Sequence, residues 1–367
     1  LQINKKRIMS GMRPTGKLHI GHYMGVLKNW LAFQDEYESF FCVADWHALT
    51  TKYDQTEDLR QNITDVAMDW IASGINPEQS TIYVQSLIPE TAELHLLLSM
   101  ITPQNWVERD TTLKDMVKIL RDKTIVQAEN AKKIYLGKKE LDKTEVINAI
   151  KNEQIKIDLI TYGLLGYPVL QTADIIQFNA SLVPVGKDQL AHLEISRDIT
   201  RRFNHIYKTD FFIEPQPKLT ETPLLKGIDG QKMGKSFNND IKISDSEEET
   251  TKKIMRAITD RSRIKKTDPG HPQECEVVCP YYEIFADAET VKKQRYECEN
   301  AIRGCADCKR ELAEIMNNYF FNIRSKRKEL ESNHGYIKKI IETGSEKARE
   351  QVCITLKEVK KIMKMYN

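Results

Sequence analysis

Residues 7–34 read as strand, glycine loop and helix, and this order constrains the fold more than any other feature of the chain. Arg7 to Ser10 lean apolar, and Gly11, Pro14 and Gly16 then punctuate a loop. Beyond it Tyr23, Met24, Val26, Leu27, Trp30 and Leu31 recur at helical spacing, with Lys28, Asn29 and Gln34 on the opposite side. Phe40 to Val43 is a continuous apolar run, as expected of a strand buried on both faces, and it ends in Asp45, Trp46, His47 and Thr50. Thr81 to Ser86 reads as another strand, ending in Gln85. Strands that alternate with helices predict an α/β fold with a Rossmann-type parallel sheet, in which polar residues at the carboxyl ends of the strands line a crevice. From residue 246 the chain turns to charged segments with helical periodicity, such as Leu312, Met316, Tyr319, Phe320 and Ile323. The expected organisation is a sheet domain over 1–245 and an all-helical domain over 246–367. Lys114 to Asp158, rich in lysine, reads as a surface helical insertion.

The 55 Lys and Arg against 53 Asp and Glu leave a net charge of +2, which does not mark the whole molecule as a nucleic-acid binder. Positive charge is local instead, at Arg261, Arg263, Lys265 and Lys266 and again at Lys326, Arg327 and Lys328. No run approaches the roughly 18 apolar residues of a membrane span. The first residues meet Gly, Pro and Arg where a secretion signal needs its apolar core, so the expected location is cytoplasmic. An odd count of 7 cysteines in such a compartment argues for thiols or metal ligands. Cys275, Cys298, Cys305 and Cys308 are spaced C-x22-C-x6-C-x2-C. Four thiolates at one locus imply a metal, and the chemistry admits either tetrahedral Zn²⁺ or a [4Fe-4S] cluster. Cys279 is an alternate candidate for the first ligand, while Cys42 and Cys353 sit in apolar contexts.

Two short motifs carry chemistry. In His19-Ile20-Gly21-His22, two imidazoles at a helix amino terminus can hold a phosphate, and Gly21 lets a flat purine approach the backbone. Far downstream, Lys232-Met233-Gly234-Lys235-Ser236 lies in a glycine-rich stretch that reads as a mobile loop. Two lysines there can neutralise the charge that grows on departing pyrophosphate. The pair, in this order, resembles the HIGH and KMSKS signature of class I aminoacyl-tRNA synthetases. Gly234 departs from that pattern at an uncharged position, and both lysines remain. The words FCVADWHALT, LLGYPVLQTADIIQF and VPVGKDQLAHLEISRDITRRFN are similar to tryptophanyl-tRNA synthetases over nearly the whole chain.

This resemblance implies tryptophan activation by Mg²⁺·ATP followed by transfer to tRNA(Trp), with 1–245 catalytic and 246–367 binding the anticodon. His19, His22, Lys232 and Lys235 would be catalytic. ATP contacts are implied at Arg13, Thr15, Gly16, His19, Gly21, His22, Gly186, Asp188, Lys232, Met233, Lys235 and Ser236. L-tryptophan would be held by Met9, Gly11, Arg13, His47, Tyr167, Gln171, Asp174, Val183, Val185 and Gln189. Asp174 falls where the family accepts the indole N–H, and Tyr167 and Gln189 fall where it holds the ammonium group. The cysteine spacing is similar to that of the subset carrying a [4Fe-4S] cluster, with structural Zn²⁺ as the alternative. The family also implies a homodimer. Three other readings stand beside this one. A tyrosine–tRNA ligase shares the fold and both motifs, although ADWHALT and VPVGKDQ fit the tryptophan branch better. A small nucleotidylyltransferase would need neither KMGKS nor a helical domain. A non-catalytic Fe-S RNA-binding protein would not need intact HIGH and lysine motifs.

Overall fold

A computed structural model describes residues 5–110, 160–186, 190–219 and 225–366, with short pieces at 113, 134–136, 139–141 and 144. In chain order the strands are β1 (Arg7–Met12), β2 (Glu38–Val43), β3 (Ser80–Val84), β4 (Ile134–Leu136), β5 (Lys139–Leu141), β6 (Leu182–Val185) and β7 (Gln216–Leu219). The helices that matter for function are α1 (Lys28–Glu36), α2 (Asp45–Lys52), α3 (Leu59–Ala72), α4 (Pro89–Ser99), α5 (Tyr167–Ile176), α6 (Leu190–Tyr207), α7 (Glu247–Arg256), α8 (Val278–Phe285), α9 (Ala288–Glu299), α10 (Cys305–Glu331) and α11 (His334–Ile362).

Two compact units divide the chain, one of Leu1–Asp45, Glu57–Leu87 and Leu219–Ala348, the other of Trp46–Thr56, Ile88–Lys218 and Arg349–Asn367. In the first unit β2 pairs in parallel with β1 on one side and β3 on the other, in the register Met9↔Phe40 and Phe41↔Ile82. The apolar run of β2 is explained by this position, because Phe40, Phe41, Cys42 and Val43 are all buried. Trp30 of α1 stacks on Phe41 at 4.2 Å between ring centroids and meets Trp70 of α3 edge-on at 5.0 Å. The carboxyl-terminal helices close the edge of the sheet at β3. Ser345 Oγ accepts the Val84 N–H at 3.1 Å. The neighbouring Gly344 approaches so closely that a Cβ there would lie 1.9 Å from the Ile82 carbonyl oxygen, so no side chain fits.

The helix expected after the glycine loop is present with one irregularity. A three-residue turn, Ile20–His22, passes into a π-helical turn over Tyr23–Leu27 before α1 begins. In the second unit α5 packs between α4 and α6, with Thr91 Oγ1 donating to Gln177 at 2.6 Å and Thr172 Oγ1 to Ser196 at 3.0 Å. Strands β6 and β7 are neighbours in the same unit. Within 114–158, read as helical from the sequence, the pieces described as strand are β4 and β5, which pair antiparallel. Apart from Thr144, the rest of that insertion lies outside the described residues. Among the described residues no helix is long and apolar enough to cross a membrane.

Candidate active site

The first unit brings the two motifs into contact. Ile20 N–H donates to the Ile241 carbonyl at 2.9 Å and Ile243 N–H to the Leu18 carbonyl at 3.0 Å, which lays 241–243 beside the HIGH motif. Met233 is buried with its sulfur close to Gly21, 3.7 Å from where a Cβ on that residue would sit. Lys235 Nζ donates to the Gly16 carbonyl at 2.6 Å and lies 3.4 Å from Thr15 Oγ1. Gly16 makes that loop possible, since its φ of +106° is a conformation that other residues rarely adopt. Lys232 is exposed, so the two lysines differ: one is seated on the glycine loop and one reaches solvent. Arg13 and Thr15 are half-buried in the same loop. The side chain of Ser236 lies outside the described residues.

The imidazoles of HIGH cap each other. His19 Nδ1 accepts the His22 N–H at 3.3 Å, His22 Nδ1 accepts the His19 N–H at 3.4 Å, and the rings stack at 3.7 Å. With both Nδ1 atoms accepting, the ring protons are assigned to Nε2. Burial, reinforced by the charge of Lys235 and opposed by Asp240, lowers the His19 pKa to about 4. Burial, with His19 and Lys235 adding to it, also lowers that of His22. Both rings are therefore neutral at pH 7 and present Nε2–H donors rather than cations.

A residue not singled out in the sequence bonds the KMGKS segment. Asn239, 2 % exposed, accepts the Gly234 N–H at 2.9 Å. Its amide also donates to Asp229 at 2.9 Å and to the Lys232 carbonyl at 3.1 Å. Glycine at 227 makes room, because a Cβ there would lie 2.3 Å from the Asn239 amide nitrogen. The dipeptide pattern offered no cue to this role.

In the second unit Tyr167, Gln171 and Asp174 occupy one face of α5 at i, i+4 and i+7. Asp174, 2 % exposed, meets His47 Nε2 of α2 at 2.9 Å, and the His47 ring packs edge-on against Tyr167 at 4.4 Å. His95 of α4 also lies in this group, where burial lowers its pKa against the pull of Asp174. Gln171 Oε1 is buried and has no hydrogen-bond partner among the described residues. Val183 and Val185 are buried on β6, and Gly186 follows them half-buried. Met9 is buried on β1 of the first unit, where Gly11 is exposed. Asp188 and Gln189 lie outside the described residues. His95 was missed in the sequence because nothing local distinguishes it from a helix-surface histidine.

The thiols of Cys275, Cys298, Cys305 and Cys308 gather in the first unit, ahead of α8, on α9 and in the first turn of α10. All but Cys305 are buried. Cys279 stands beside Cys275, and its hydrogen bond holds the Cys275 thiol down to about 6. Burial pushes Cys298 up to about 11, with the neighbouring thiols adding to it. Arg263 Nη1 lies 3.8 Å from Cys298 Sγ, while Arg303 Nη1 and Gln294 Nε2 lie 3.9 and 3.7 Å from Cys308 Sγ. Two of the residues expected to form basic surface patches are thus interior. Arg263 is spent on the cysteine locus and on the Lys266 and Arg303 carbonyls, and Arg327 is 2 % exposed. Arg261, Lys265, Lys266, Lys326 and Lys328 remain exposed.

An α/β Rossmann-type fold with a helical carboxyl-terminal region, joined to this pair of phosphate motifs, defines an aminoacyl-tRNA synthetase of class I. The chain belongs to the family described as tRNA synthetases class I (W and Y), whose model matches residues 3–321. It is 42% identical over 394 residues to the tryptophan–tRNA ligase of Aquifex aeolicus, covering 98% of this chain and 100% of that one. It is 40% identical to that of Thermotoga maritima, over 98% and 99% of the two chains. Among solved structures it is similar to the tryptophanyl-tRNA synthetase of Campylobacter jejuni complexed with ADP and tryptophan. That match has a TM-score of 0.80 and 30% identity, with 98% of this chain and 100% of that chain covered.

Proposed function

We propose that this chain is a tryptophan–tRNA ligase, which activates L-tryptophan with Mg²⁺·ATP and then transfers it to tRNA(Trp). The observation that carries the chemistry is the contact between the two motifs, with Lys235 on the Gly16 carbonyl and Met233 against Gly21. In the first step the tryptophan carboxylate attacks the α-phosphorus of ATP in line, giving tryptophanyl-adenylate and pyrophosphate. The Nε2–H groups of His19 and His22 donate to phosphate oxygens without adding charge, and Lys235 and the outward Lys232 take the charge on the leaving group. No protein nucleophile is required. Asp174 accepts the indole N–H, competing with His47 for the same carboxylate, and the buried Gln171 Oε1 suits the substrate ammonium group. Such an acceptor excludes phenylalanine, which would leave it unpaired. In the second step a hydroxyl of the terminal ribose of tRNA attacks the acyl carbon of the adenylate and AMP departs, while the anticodon contacts the 246–367 region. A homodimer and a cytoplasmic location belong to this reading.

The cysteine locus fits a [4Fe-4S] cluster held by Cys275, Cys298, Cys305 and Cys308. Four cysteine thiols at one locus are the ligand set of such a cluster, with structural zinc as the alternative. Two arginines beside the sulfurs match the negative charge of a cluster with four thiolates. When bound, it supplies a covalent tie among the segments carrying α8, α9 and α10. Charging of tRNA(Trp) with tryptophan tests the function, and charging with tyrosine in its place would refute it. Anaerobically purified protein should contain about four irons per chain and absorb broadly near ~400 nm; stoichiometric zinc without iron would refute the cluster.

A further inference from the structure

Arg327 is the most fully engaged buried cation among the described residues of the first unit, and the phosphate chemistry above does not use it. Its Nη2 donates to Asp65 Oδ1 at 2.5 Å, its Nη1 to the Asp65 carbonyl at 3.2 Å and to Asp69 Oδ1, and its Nε to Glu331 at 3.1 Å. Asp69, completely buried on α3, turns its other oxygen to the backbone N–H of Leu18 at 2.7 Å. Leu18 is the residue before His19. Two turns earlier on α10, Phe320 and Tyr319 pack edge-on against Tyr23, which follows His22, at 5.5 and 6.2 Å between centroids. The helix therefore grips the HIGH segment on both sides, by a charged relay before it and by aromatic rings after it.

A buried ion pair is poor evidence for stabilisation, because apolar residues of similar volume commonly do as well or better. Its distinguishing property is direction. A guanidinium fork spanning two carboxylates fixes the Asp69 plane, and that plane aims one lone pair at the Leu18 N–H. The Leu18 backbone in turn sets where His19 begins the reciprocal cap with His22, and so where the two Nε2–H groups point. From this geometry we infer that Arg327 is a positioning residue for the ATP phosphates, acting through Asp69 on the backbone at Leu18. The inference rests on the reading of His19 and His22 as phosphate donors.

The test is steady-state ATP–pyrophosphate exchange on Arg327→Met, Arg327→Lys and Asp69→Asn, with thermal melts of each and with His19→Ala alongside. Displacement of donors by a fraction of an ångström predicts a loss of about 10- to 100-fold in kcat/KM for ATP in Arg327→Met, with the KM for tryptophan unchanged. Arg327→Lys, which keeps the charge but not the fork, should recover part of the loss. Asp69→Asn, which keeps an acceptor toward Leu18 without pairing charge, should show the same split even if Arg327→Met fails to fold. Folded variants with unchanged kcat/KM for ATP would overturn the inference, as would parallel losses for ATP and tryptophan that track the unfolded fraction. If His19→Ala keeps full exchange, the phosphate reading itself fails. If His19→Ala is inactive while the Arg327 and Asp69 variants are normal, only the present inference fails.

Discussion

The HIGH region and the tryptophan-side region each rest on a buried carboxylate, and they use it in opposite ways. Asp69 is held by a guanidinium that carries permanent charge and by the Leu18 N–H, all supplied by the chain itself. Asp174 meets an imidazole that can give up its place, within a group that includes Tyr167, His95 and a buried amide oxygen without a partner among the described residues. A carboxylate tied to a fixed cation and to backbone serves as support, since removing either partner strands a buried charge. One that faces exchangeable donors suits a ligand, because the ligand's N–H can take over the hydrogen bond. Burial is nearly the same for both, so the nature of the donors, rather than depth, separates scaffold from site.

Substitutions can break this contrast. Replacing Asp174→Ala should have the largest effect. The preference for tryptophan over phenylalanine in exchange, of order 10⁴ for a site built around one obligatory hydrogen bond, should largely vanish, and equal discrimination by the variant would contradict the assignment. Lys235→Ala should lower kcat by about 10²–10³ while leaving the KM for tryptophan in place. A matching rise in that KM would mean that the two regions are not energetically distinct.

Acid should act next. Because the His19 pKa is lowered in the folded state from 6.5 to about 4, the unfolded chain binds this proton first. Stability from this group is then complete above pH 6.5 and is lost as the pH falls toward 4. The kcat/KM profile for ATP should correspondingly show no limb near 6.5 from these rings; activity that falls as the pH rises through 6.5 would show the rings acting as cations. The smallest effect belongs to Gly234→Ser. Gly234 has an extended backbone, with φ of -169°, which any residue adopts, so a melt should shift by no more than about 0.5 kcal/mol of stability.

What the sequence discloses follows the range of each interaction. The HIGH and KMGKS motifs are contiguous words, and β2 and β3 carry the apolar runs Phe40–Val43 and Ile82–Val84, so both are legible without a partner in view. Tyr167, Gln171 and Asp174 share a helix face by spacing alone. Asp69 is hidden because it sits among Val66, Ala67, Met68 and Trp70 on a buried helix, where its partner is 258 positions away. Arg327 looks like part of a basic surface run until α10 places it inside. The π-helical turn at Tyr23–Leu27 escapes a periodicity argument because a slip of one residue still leaves Met24, Leu27 and Trp30 buried. The glycine at 227 looks like loop composition in the sequence, whereas in the fold it admits the Asn239 side chain that bonds the Gly234 N–H.

In the proposed mechanism neutral imidazoles and two lysines at one locus drive adenylation of tryptophan. The most direct measurement is ATP–pyrophosphate exchange by the full chain with single amino acids. Exchange should depend on tryptophan, be silent with tyrosine and phenylalanine, and collapse in Lys235→Ala. Exchange supported by tyrosine, or none with tryptophan in a folded preparation, would contradict it.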